Sequence, residues 1–506
     1  MHGVEWKDKE LGGLIKSALG RTVDSNSLIQ IKDICEDSRR VKPGSLFVAV
    51  PGVKADGAEY VADAIARGAS AIVIGESVSV DYRVPVIRVP DPRSAVAKLA
   101  AMFYGLYEIQ RRGELKVVGI TGTNGKSTIG FMVRHLLTRA GRKAALFGTI
   151  EYDLVSRKLP SDLTTPDAVT LTKHLIEAHQ AGARHAVMEV SSHSLDQRRV
   201  DGINFAVGIF TNLTQDHLDY HGTIDEYLKA KRRLFDNLSD DAVAVVNVND
   251  PAVDRILENC RARVIRFGLG HDAQARGTIL NEDRTGGRFL LEFEGKHAEM
   301  RTPMVGHHNI LNALAAAATG LQLGVDLPTI QQALSELSHV PGRLQRLDTG
   351  ELGFDVFVDY AHTDDALKNV LASVRPLASG RLWCVFGCGG DRDRTKRPRM
   401  ARAVAQTADR FVITSDNPRT EDPMAILMDI ERGLLAKQLS RGDTIPDRAK
   451  AIRHVVERLE PGDSLVIAGK GHENYQIVGS TKHHFDDVEI AAEAIAARQG
   501  LIACAR

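Results

Sequence analysis

The chain has 506 residues, 43% of them hydrophobic, and this length predicts about three domains with sizeable cores. Lysine plus arginine and aspartate plus glutamate each number 65, so the net charge gives no electrostatic reason to expect nucleic acid or an anionic membrane as a partner. The sequence has no run of about 18 apolar residues, as a membrane span needs, and its first residues lack the apolar run of a signal peptide. We therefore predict a cytoplasmic protein with no membrane insertion.

The cysteines are scattered, odd in number and without a CxxC pair. This spacing is typical of reduced thiols and not of a disulfide framework or a zinc site. The residues concerned are Cys35, Cys260, Cys384, Cys388 and Cys504.

Three segments follow one another along the chain. Residues 1–108 are predicted to form a small N-terminal α/β domain, with strands at 45–50 and 71–74. In residues 109–345 and 346–506 apolar strands alternate with amphipathic helices, which is typical of parallel sheets covered on both faces. The predicted strands lie at 117–120, 186–188, 205–210, 354–359, 381–386, 411–414 and 464–468. The fold class is therefore α/β with three domains, the last of them Rossmann-like.

A glycine-bracketed loop follows the first strand of the second segment, in the sequence LKVVGITGTNGKST at residues 115–128. A helix is predicted after it, because apolar residues recur at helical spacing from Ile129 to Leu137. Backbone N–H groups of such a loop and the helix N-terminus bind phosphate anions, while Lys126 adds charge and the Ser127 hydroxyl can bind Mg²⁺. We predict a nucleoside triphosphate site on a P-loop ATPase-like sheet. Its loop residues are Gly122, Thr123, Asn124, Gly125, Lys126, Ser127 and Thr128.

Polar clusters stand at the ends of six predicted strands. In parallel sheets, ligands bind beyond the carboxyl ends of the strands. Glu189 directly follows an apolar strand, where a carboxylate can bind the Mg²⁺ of a bound nucleotide; the alternative is a solvated acid. The clusters are residues 122–127, 189–193, 211–217, 387–392, 415–419 and 469–473.

Lys231 is unusual because it lies on the apolar face of a predicted helix at residues 223–238. An unpaired buried ammonium is costly, so such a lysine lowers its pKa, finds a partner or is modified. One alternative is a buried stem with the amine in solvent. The other is a neutral amine that reacts with CO₂, giving a carbamate that binds a second Mg²⁺ with His217 as co-ligand. On its own, a single histidine in a loop such as His217 more often has a structural role.

The order of motifs resembles the Mur ligase family, in particular the ligases that add a diamino acid to UDP-N-acetylmuramoyl-L-alanyl-D-glutamate in peptidoglycan synthesis. The resemblance extends over nearly the whole chain. Its motifs are DSR (37–39), GTNGKS (122–127), TTPD (164–167), EVSSHSLDQRR (189–199), NLTQDHLDYHG (212–222), Lys231, HNILNALAA (308–316), PGRLQ (341–345), DYAHT (359–363), GCGGDRD (387–393), SDNPR (415–419) and AGKGHE (468–473).

The resemblance implies roles for individual residues. ATP would be bound by the loop together with Asn309, Arg343 and Asp359, and Mg²⁺ by Ser127, Glu189, His217 and Lys231. Lys231 would be carried as N6-carboxylysine, and the catalytic set would be Lys126, Glu189, His217 and Lys231. The muramoyl substrate would contact Ser38, Thr164, Thr165, Ser191, Gln197 and Arg199.

The resemblance also implies the choice of amino acid. In this family a DNPR sequence accompanies meso-diaminopimelate, and lysine-adding relatives lack the arginine. Diaminopimelate carries a distal carboxylate that lysine does not, and Arg419 can pair with it bidentately. The remaining contacts are expected from Arg392, Asp416, Asn417, Pro418, Gly469 and Glu473.

Three residues depart from the family pattern. Asp364 stands where a proline is usual, Val53 where some relatives have histidine, and Leu163 where some have asparagine. The first departure affects a turn, and the second puts one contact to the uridine diphosphate in doubt.

The resemblance implies an amide ligation through an acyl phosphate, with small-molecule substrates, no nucleic acid and a monomeric enzyme. The third domain would have to close over the nucleotide. Two alternatives stay open: a sister ligase, either lysine-adding or a folylpolyglutamate synthetase, and a nucleotide switch or dinucleotide-binding protein. The base that deprotonates the incoming amine is not identified by the sequence.

Overall fold

The computed structural model describes residues 7–22, 28–52, 56–78 and 83–505, with only the backbone of 501–505. Val53 and the side chain of Cys504 lie outside the described residues. In the described ranges, no helix is both long enough and apolar enough to cross a membrane. The other four cysteines are free thiols.

The N-terminal part contains a four-stranded parallel sheet. Both strands predicted here are present, and the first ends at Val48. In sheet order the strands are Asp33–Cys35, Ser45–Val48, Ala71–Gly75 and Val86–Val89. The α-helices are Leu11–Leu19, Val61–Ala66, Pro92–Phe103 and Leu106–Arg111, and Lys9–Glu10 pairs with Gln30–Ile31.

The central sheet has eleven strands in the described part of the chain. Its middle is parallel, and both ends continue as antiparallel strands that the sequence reading did not predict. In sheet order the strands are Lys158–Pro160, Glu151–Asp153, Ala144–Phe147, His185–Glu189, Lys116–Thr121, Phe205–Phe210, Val243–Asn247, Arg263–Gly268, Ala275–Asp283, Gly286–Phe293 and Lys296–Thr302. The helices are Lys126–Arg139, Ala168–Gln180, Ser192–Asp196, Leu218–His221, Ile224–Asp236, Val253–Ile256, His307–Gln322 and Leu327–Glu336.

The third sheet has six strands among the described residues, parallel except at the first strand. In sheet order they are Gln345–Arg346, Asp355–Asp359, Ser464–Ala468, Leu382–Phe386, Arg410–Ile413 and Gly442–Thr444. The helices are Asp364–Val374, Lys396–Thr407, Pro423–Glu431, Ala436–Leu439, Arg448–Val456 and Asp487–Ala505, and a hairpin pairs Tyr475–Val478 with Thr481–His484.

Neighbouring side chains on the strands enter different hydrophobic cores. Val117 and Val118 pack into separate cores on the two faces of the central sheet, as do Val356 and Phe357 in the third sheet. Parallel strands buried on both faces account for their continuous apolar sequences. The prediction of a three-domain α/β fold is confirmed, while the domain boundaries stay a prediction.

The register brings the polar strand ends together. Glu189 is paired with Ile120, and Phe210 with Thr121, so three central strands end side by side. In the third sheet, Asp359 is paired with Ala468. The polar clusters that follow these residues therefore lie along one edge of each sheet.

Candidate functional site

The loop at residues 122–128 connects the strand Lys116–Thr121 to the helix Lys126–Arg139. Gly122 and Gly125 have φ of 146° and 88°, a region that side chains other than glycine rarely adopt. A Cβ atom would lie 1.8 Å from Thr211 Oγ1 at Gly122, and 2.6 Å from Asn312 Oδ1 at Gly125. The close approach of these neighbours and the backbone angle both require glycine at the two positions.

The neighbouring strand end fixes the loop. The Thr123 N–H donates to the Asn212 carbonyl at 2.9 Å, and the Asn124 N–H donates to Asn212 Oδ1 at 3.0 Å. The Thr211 hydroxyl donates to the Asn124 carbonyl at 2.6 Å. Residues 211–212 thus hold the loop in shape before any anion binds.

A half-buried lysine, Lys126, and a buried lysine, Lys231, meet at this loop. Lys126 Nζ donates to the carbonyl oxygens of Gly122 at 3.0 Å and Thr123 at 2.7 Å. Lys231 Nζ donates to the same Gly122 oxygen at 2.8 Å and lies 4.2 Å from the centre of the Tyr227 ring. Burial lowers the pKa of both amines, and the charge of Lys126 lowers that of Lys231 further. With 1% exposure, Lys231 does not reach solvent, so the alternative of a solvated amine is wrong.

Glu189 lies at the end of its strand with 2% exposure. Its Oε1 accepts from the Thr149 N–H at 2.9 Å, and its Oε2 accepts from the Thr149 hydroxyl at 3.0 Å. The carboxylate is packed against Gly148, where a Cβ atom would lie 2.3 Å from Oε1. Thr149 therefore orients a buried carboxylate at the edge of the sheet that carries the phosphate loop.

The donor atoms near the loop suit a hard cation. Ser127 and Glu189 offer the oxygen ligands that Mg²⁺ prefers, and Thr121 Oγ1 is buried without a hydrogen-bond partner in the described structure. Among the described residues, however, no three His, Cys, Asp or Glu side chains converge as a metal site. The predicted magnesium ligands therefore stay a prediction.

His217 is the N-cap of the short helix Leu218–His221 and has φ of 52°. Its ring lies 4.7 Å from that of His193 and 6.4 Å from that of Tyr227, measured between centres. Burial lowers the pKa of His217 to about 4. The imidazole is therefore neutral at pH 7, the form in which histidine binds metals.

Apart from Ser38, the residues expected to bind the muramoyl substrate form a group beside Glu189. The hydroxyls of Thr164 and Thr149 lie 3.1 Å apart. The Thr165 hydroxyl donates to the Glu189 carbonyl at 2.9 Å and accepts from the Ser191 N–H at 3.2 Å. Two further contacts join Arg199 to this group, one to the Thr165 carbonyl at 2.8 Å and one to Gln197 Oε1 at 2.6 Å.

Ser38 lies in the N-terminal domain, in the turn Ser38–Arg40. The nearby Glu36 reaches the central domain, where its Oε1 accepts from the Val169 N–H at 3.4 Å. Val169 belongs to the helix Ala168–Gln180, which follows Thr164 and Thr165 directly. Leu163 before them is 47% exposed, and its N–H donates to the Tyr152 hydroxyl at 3.3 Å.

The junction with the third domain reaches the phosphate loop. Arg343 Nη2 donates to Ser127 Oγ at 2.9 Å, and its guanidinium lies 4.8 Å from the centre of the Tyr360 ring. Asp359 accepts from the N–H groups of Leu344 at 2.6 Å and Ala361 at 2.8 Å. Burial raises the pKa of Asp359, with Arg343 opposing the shift.

Asn309, expected near adenine, is 2% exposed. It donates to the Val305 carbonyl at 2.7 Å and accepts from Asn312 Nδ2 at 3.0 Å. Asn312 is the residue that crowds Gly125, so Asn309 is linked to the loop through one side chain. Asp364 lies in the first turn of the helix Asp364–Val374 and pairs with Arg399 at 2.7 Å.

The SDNPR and AGKGHE motifs form one cluster in the third domain. Asn417 Nδ2 donates to Glu473 Oε2 at 3.0 Å. A Cβ atom at Gly469, which has φ of 117°, would lie 2.7 Å from Asp416 Oδ2. Arg419 has φ of 54°, and its Nη1 donates to the Gly390 carbonyl at 2.8 Å. Pro418 is packed against Gly390, where a Cβ atom would lie 1.9 Å from the Pro418 carbonyl oxygen.

Arg392 is exposed and lies near Arg419 across Gly389. It lines a cleft of about 650 Å³ between the central and third domains. The lining residues are Asp219 of the central domain and Asp391, Arg392, Asp393, Arg394 and Glu421 of the third.

Sequence reasoning did not single out Lys470, although it lies inside a quoted motif. It is 0% exposed and bonds to both Asn417 and Glu473. Its position two residues beyond the end of an apolar strand, between two glycines, is the signal that could have identified it.

The phosphate loop and the cluster of Asn417 and Glu473 adjoin each other. A Cβ atom at Gly342 would lie 2.1 Å from the backbone nitrogen of His472, and the His472 and Tyr360 rings are 5.0 Å apart between centres. Tyr360 also contacts Arg343. The cluster of Asn417 and Glu473 is thus connected to the phosphate loop through packed side chains.

Comparison with known proteins agrees over most of the chain. Residues 30–104 match the model of the Mur ligase family catalytic domain, residues 120–320 the Mur ligase middle domain, and residues 342–471 the Mur ligase glutamate ligase domain. A relative from Syntrophomonas wolfei, named UDP-N-acetylmuramoyl-L-alanyl-D-glutamate–2,6-diaminopimelate ligase, is 41% identical over 468 residues, covering 92% of this chain and 95% of its own.

Two solved structures are similar over most of the chain. One, of a UDP-N-acetylmuramoyl-L-alanyl-D-glutamate–2,6-diaminopimelate ligase, has a TM-score of 0.69 and 33% identity, and the match covers 97% of this chain and 100% of that one. The other, MurF ligase from Thermotoga maritima in complex with ADP, has a TM-score of 0.60 and 18% identity, with 92% and 98% covered.

Proposed function

This chain belongs to the Mur ligase family, and from that premise we infer that it joins 2,6-diaminopimelate to UDP-N-acetylmuramoyl-L-alanyl-D-glutamate in peptidoglycan synthesis. The relative from Syntrophomonas wolfei, 41% identical over 92% of the chain, carries the name of this ligase. The observation that carries the assignment on the chain itself is the cluster of Arg419, Asn417 and Glu473 beside the phosphate-loop domain. The enzyme depends on ATP, as the family does.

In the first step, the γ-carboxylate of D-glutamate attacks the γ-phosphorus of ATP. An acyl phosphate forms as the bond to the ADP oxygen breaks. The ammonium of Lys126 and the amides of the loop neutralise charge as the two anions meet. Thr164, Thr165 and Arg199 lie beside Glu189, so the dipeptide they hold would present its carboxylate next to the loop.

In the second step, the amine of diaminopimelate attacks the acyl carbon, and inorganic phosphate leaves as the amide forms. Arg419 is proposed to pair with the distal carboxylate, and Glu473 to offset an ammonium. The cleft between the domains must exclude water, because the acyl phosphate hydrolyses readily. Closure of the third domain would bring the amine to the acyl carbon and would also exclude water.

Mg²⁺ is the metal proposed for the nucleotide site. Ser127 and Glu189 would hold one ion, and His217 with the modified Lys231 a second. The ions would supply neutralisation of phosphate charge when bound. The oxygen chemistry of Ser127, Glu189 and the unpartnered Thr121 Oγ1 fits this assignment.

Lys231 is proposed to be N6-carboxylysine. The reaction needs a neutral amine, which attacks CO₂ and releases one proton as the carbamate forms. Burial and the charge of Lys126 lower the Lys231 pKa well below its usual value, which favours that neutral form. The carbamate nitrogen keeps one N–H, so a bond to the Gly122 carbonyl can persist. A ¹³C signal from labelled CO₂, together with recovery of Lys231→Ala activity by small carboxylates, tests this modification.

The proposed function is tested by coupled turnover. Purified enzyme is given ATP, Mg²⁺, UDP-N-acetylmuramoyl-L-alanyl-D-glutamate and either meso-diaminopimelate or lysine, and phosphate and the amide product are measured. We expect product with diaminopimelate and at least tenfold less with lysine, since a site built for a charged group rejects an analogue that lacks it. Equal rates would contradict the selectivity assignment, and ATP binding without turnover would indicate a nucleotide switch.

Arg419→Ala gives the test at residue level. We expect kcat/KM for diaminopimelate to fall at least tenfold, because a charge-assisted pair is lost, while the low rate with lysine changes little. Arg432→Ala is the matched control, since its side chain is 74% exposed and pairs with Asp429. A similar loss with both amino acids would show that Arg419 acts on the fold and not on selectivity.

A further inference from the structure

Lys470 has no role in the proposed reaction, yet it lies between Asn417 and Glu473, which are proposed to bind the diamino acid. Its side chain is 0% exposed. Its ammonium lies 3.3 Å from Asn417 Oδ1 and 3.3 Å from Glu473 Oε2. A buried ammonium is expensive unless it is paired and hydrogen-bonded, so the position needs an explanation.

The contacts form a closed triangle. Lys470 donates to Asn417 and to Glu473, and Asn417 Nδ2 donates to the same Glu473 oxygen at 3.0 Å. Asn417 Oδ1 also accepts from the Ile477 N–H at 2.9 Å. Because Oδ1 accepts from two donors, the Asn417 amide can take only one orientation, with Nδ2 facing Glu473. Lys470 and the Ile477 N–H together fix which group Asn417 presents, and Lys470 alone of these two donors also holds Glu473.

Access differs within the triangle. The Glu473 side chain is 17% exposed, whereas that of Lys470 is completely buried. A substrate can therefore reach Glu473 but not Lys470. The charge of Lys470 acts on a substrate only through the groups it holds.

We propose that Lys470 is a positioning residue for the incoming diamino acid: it orients Asn417 and holds Glu473 in place to receive the substrate ammonium. This rests on the proposed function, in which Glu473 faces that ammonium. Lys470 touches no reacting atom and takes no part in proton transfer. It acts on the binding of one of the three substrates.

The test is Lys470→Met, which keeps the length of the stem and removes the ammonium. We expect KM for diaminopimelate to rise at least tenfold, as expected for loss of hydrogen bonds to a charged group. KM for ATP and for the muramoyl substrate should stay within about twofold, because neither is contacted by the triangle. Steady-state kinetics with each substrate varied in turn measures all three.

Lys482→Met is the matched control. Lys482 is exposed, and its amine lies 3.6 Å from the centre of the Tyr475 ring, which Lys470 approaches from 5.4 Å. Lys482 thus lies beside the same ring as Lys470, but it makes no hydrogen bond to Asn417 or Glu473. All three KM values should match the wild type.

A double-mutant cycle with Glu473→Gln separates positioning from general loss of stability. If Lys470 acts through Glu473, the combined variant should lose less than the product of the two single losses. Fully multiplicative losses, an unchanged KM for diaminopimelate, or a parallel rise in all three KM values would overturn the proposal. If Lys470→Met does not fold, Lys470→Gln, which keeps a donor without the charge, is judged by the same criteria.

Failure of the proposed function is distinguishable from failure of this inference. A wild-type enzyme that used lysine in place of diaminopimelate would contradict the assigned selectivity. The Lys470 comparison would then use lysine, whose ammonium Glu473 would receive in the same way.

Discussion

Glu36 shows how a single carboxyl group links two domains. It lies in the N-terminal domain and accepts from the Val169 N–H at the start of the central helix Ala168–Gln180. Asp167, the N-cap of that helix, accepts from the Thr170 N–H at 2.8 Å. Burial, together with the charge and hydrogen bond of Asp167, raises the pKa of Glu36 to about 8. Two carboxyl groups therefore share one helix N-terminus, and Glu36 is protonated at neutral pH.

This arrangement makes stability depend on pH. The unfolded chain releases the Glu36 proton near its ordinary pKa of 4.5, whereas the folded chain keeps it until about 8. Between these values the folded state binds more protons, so the contribution of Glu36 to stability falls as pH rises and is lost above about 8. Glu36→Gln mimics the protonated form. We predict an unfolding midpoint several degrees above the wild type at pH 8.5, and little difference near pH 5.

Thermal unfolding at a series of pH values measures this effect. Glu59→Gln is the matched control, because Glu59 is an exposed carboxylate of the same domain. It should leave the midpoint unchanged at every pH. A Glu36→Gln variant whose midpoint follows the wild-type pH curve would contradict the assignment of the proton to Glu36.

At the scale of elements, the sequence predicts what local patterns determine. The strand before the phosphate loop and the helix after it are found as predicted, because an apolar run and a helical repeat are both readable within about fifteen residues. The antiparallel strands Ala275–Asp283, Gly286–Phe293 and Lys296–Thr302 were not predicted. They pair with one another through tight turns, with Asp283 paired with Gly286 and Phe293 with Lys296. Most of their exposed residues are polar, although Leu280 is 50% exposed. Their buried and exposed residues are mixed along each strand, a weaker signal than the continuous apolar runs of the parallel strands.

The phosphate loop permits a test at this scale. Gly125→Ala places a Cβ atom 2.6 Å from Asn312 Oδ1 at a residue with φ of 88°. Asn312 is buried and bonded to Asn309, so it has little freedom to move, and the loop must distort. We predict that KM for ATP rises at least tenfold, because the loop amides no longer point at the phosphates. Steady-state kinetics with varied ATP is the measurement.

Gly141→Ala separates crowding from backbone strain. Gly141 lies just after the helix Lys126–Arg139, which begins at the phosphate loop. It has φ of 73°, and a Cβ atom added there would have no atom within 4 Å. The substitution carries the backbone cost of about 1–2 kcal/mol without crowding the loop. It should lower the unfolding midpoint and leave KM for ATP unchanged. Equal kinetic losses in both variants would contradict the loop argument.

At the scale of the whole molecule, the contacts between domains could not be predicted from the sequence. Arg343 and Ser127 are 216 positions apart, and no local pattern states that they meet. The motifs predict which residues bind ligands, since each motif fixes its own loop. The orientation of the third domain, which brings Tyr360, Arg343 and the phosphate loop together, is visible only in the structure.

Arg343 is therefore the residue through which the nucleotide and diamino acid regions should influence each other. It donates to Ser127 of the phosphate loop and lies against Tyr360, whose ring packs on His472 beside Glu473. Arg343→Ala should raise KM for ATP about tenfold by loss of a charged hydrogen bond. It should also raise KM for diaminopimelate, which is proposed to bind at Arg419, Asn417 and Glu473 and not at Arg343, because the third domain loses its contact with the loop. KM for the muramoyl substrate should change little.

Arg381→Ala is the control for this prediction. Arg381 also lies over an aromatic ring, that of Trp383 at 5.7 Å, but at the amino end of its strand, away from the ligand edge. Its loss should leave all three KM values unchanged. If Arg343→Ala affected ATP alone, the two regions would be independent, and closure of the third domain would not depend on this contact. A rise in both KM values with Arg343→Ala, absent with Arg381→Ala, would establish Arg343 as the link between them.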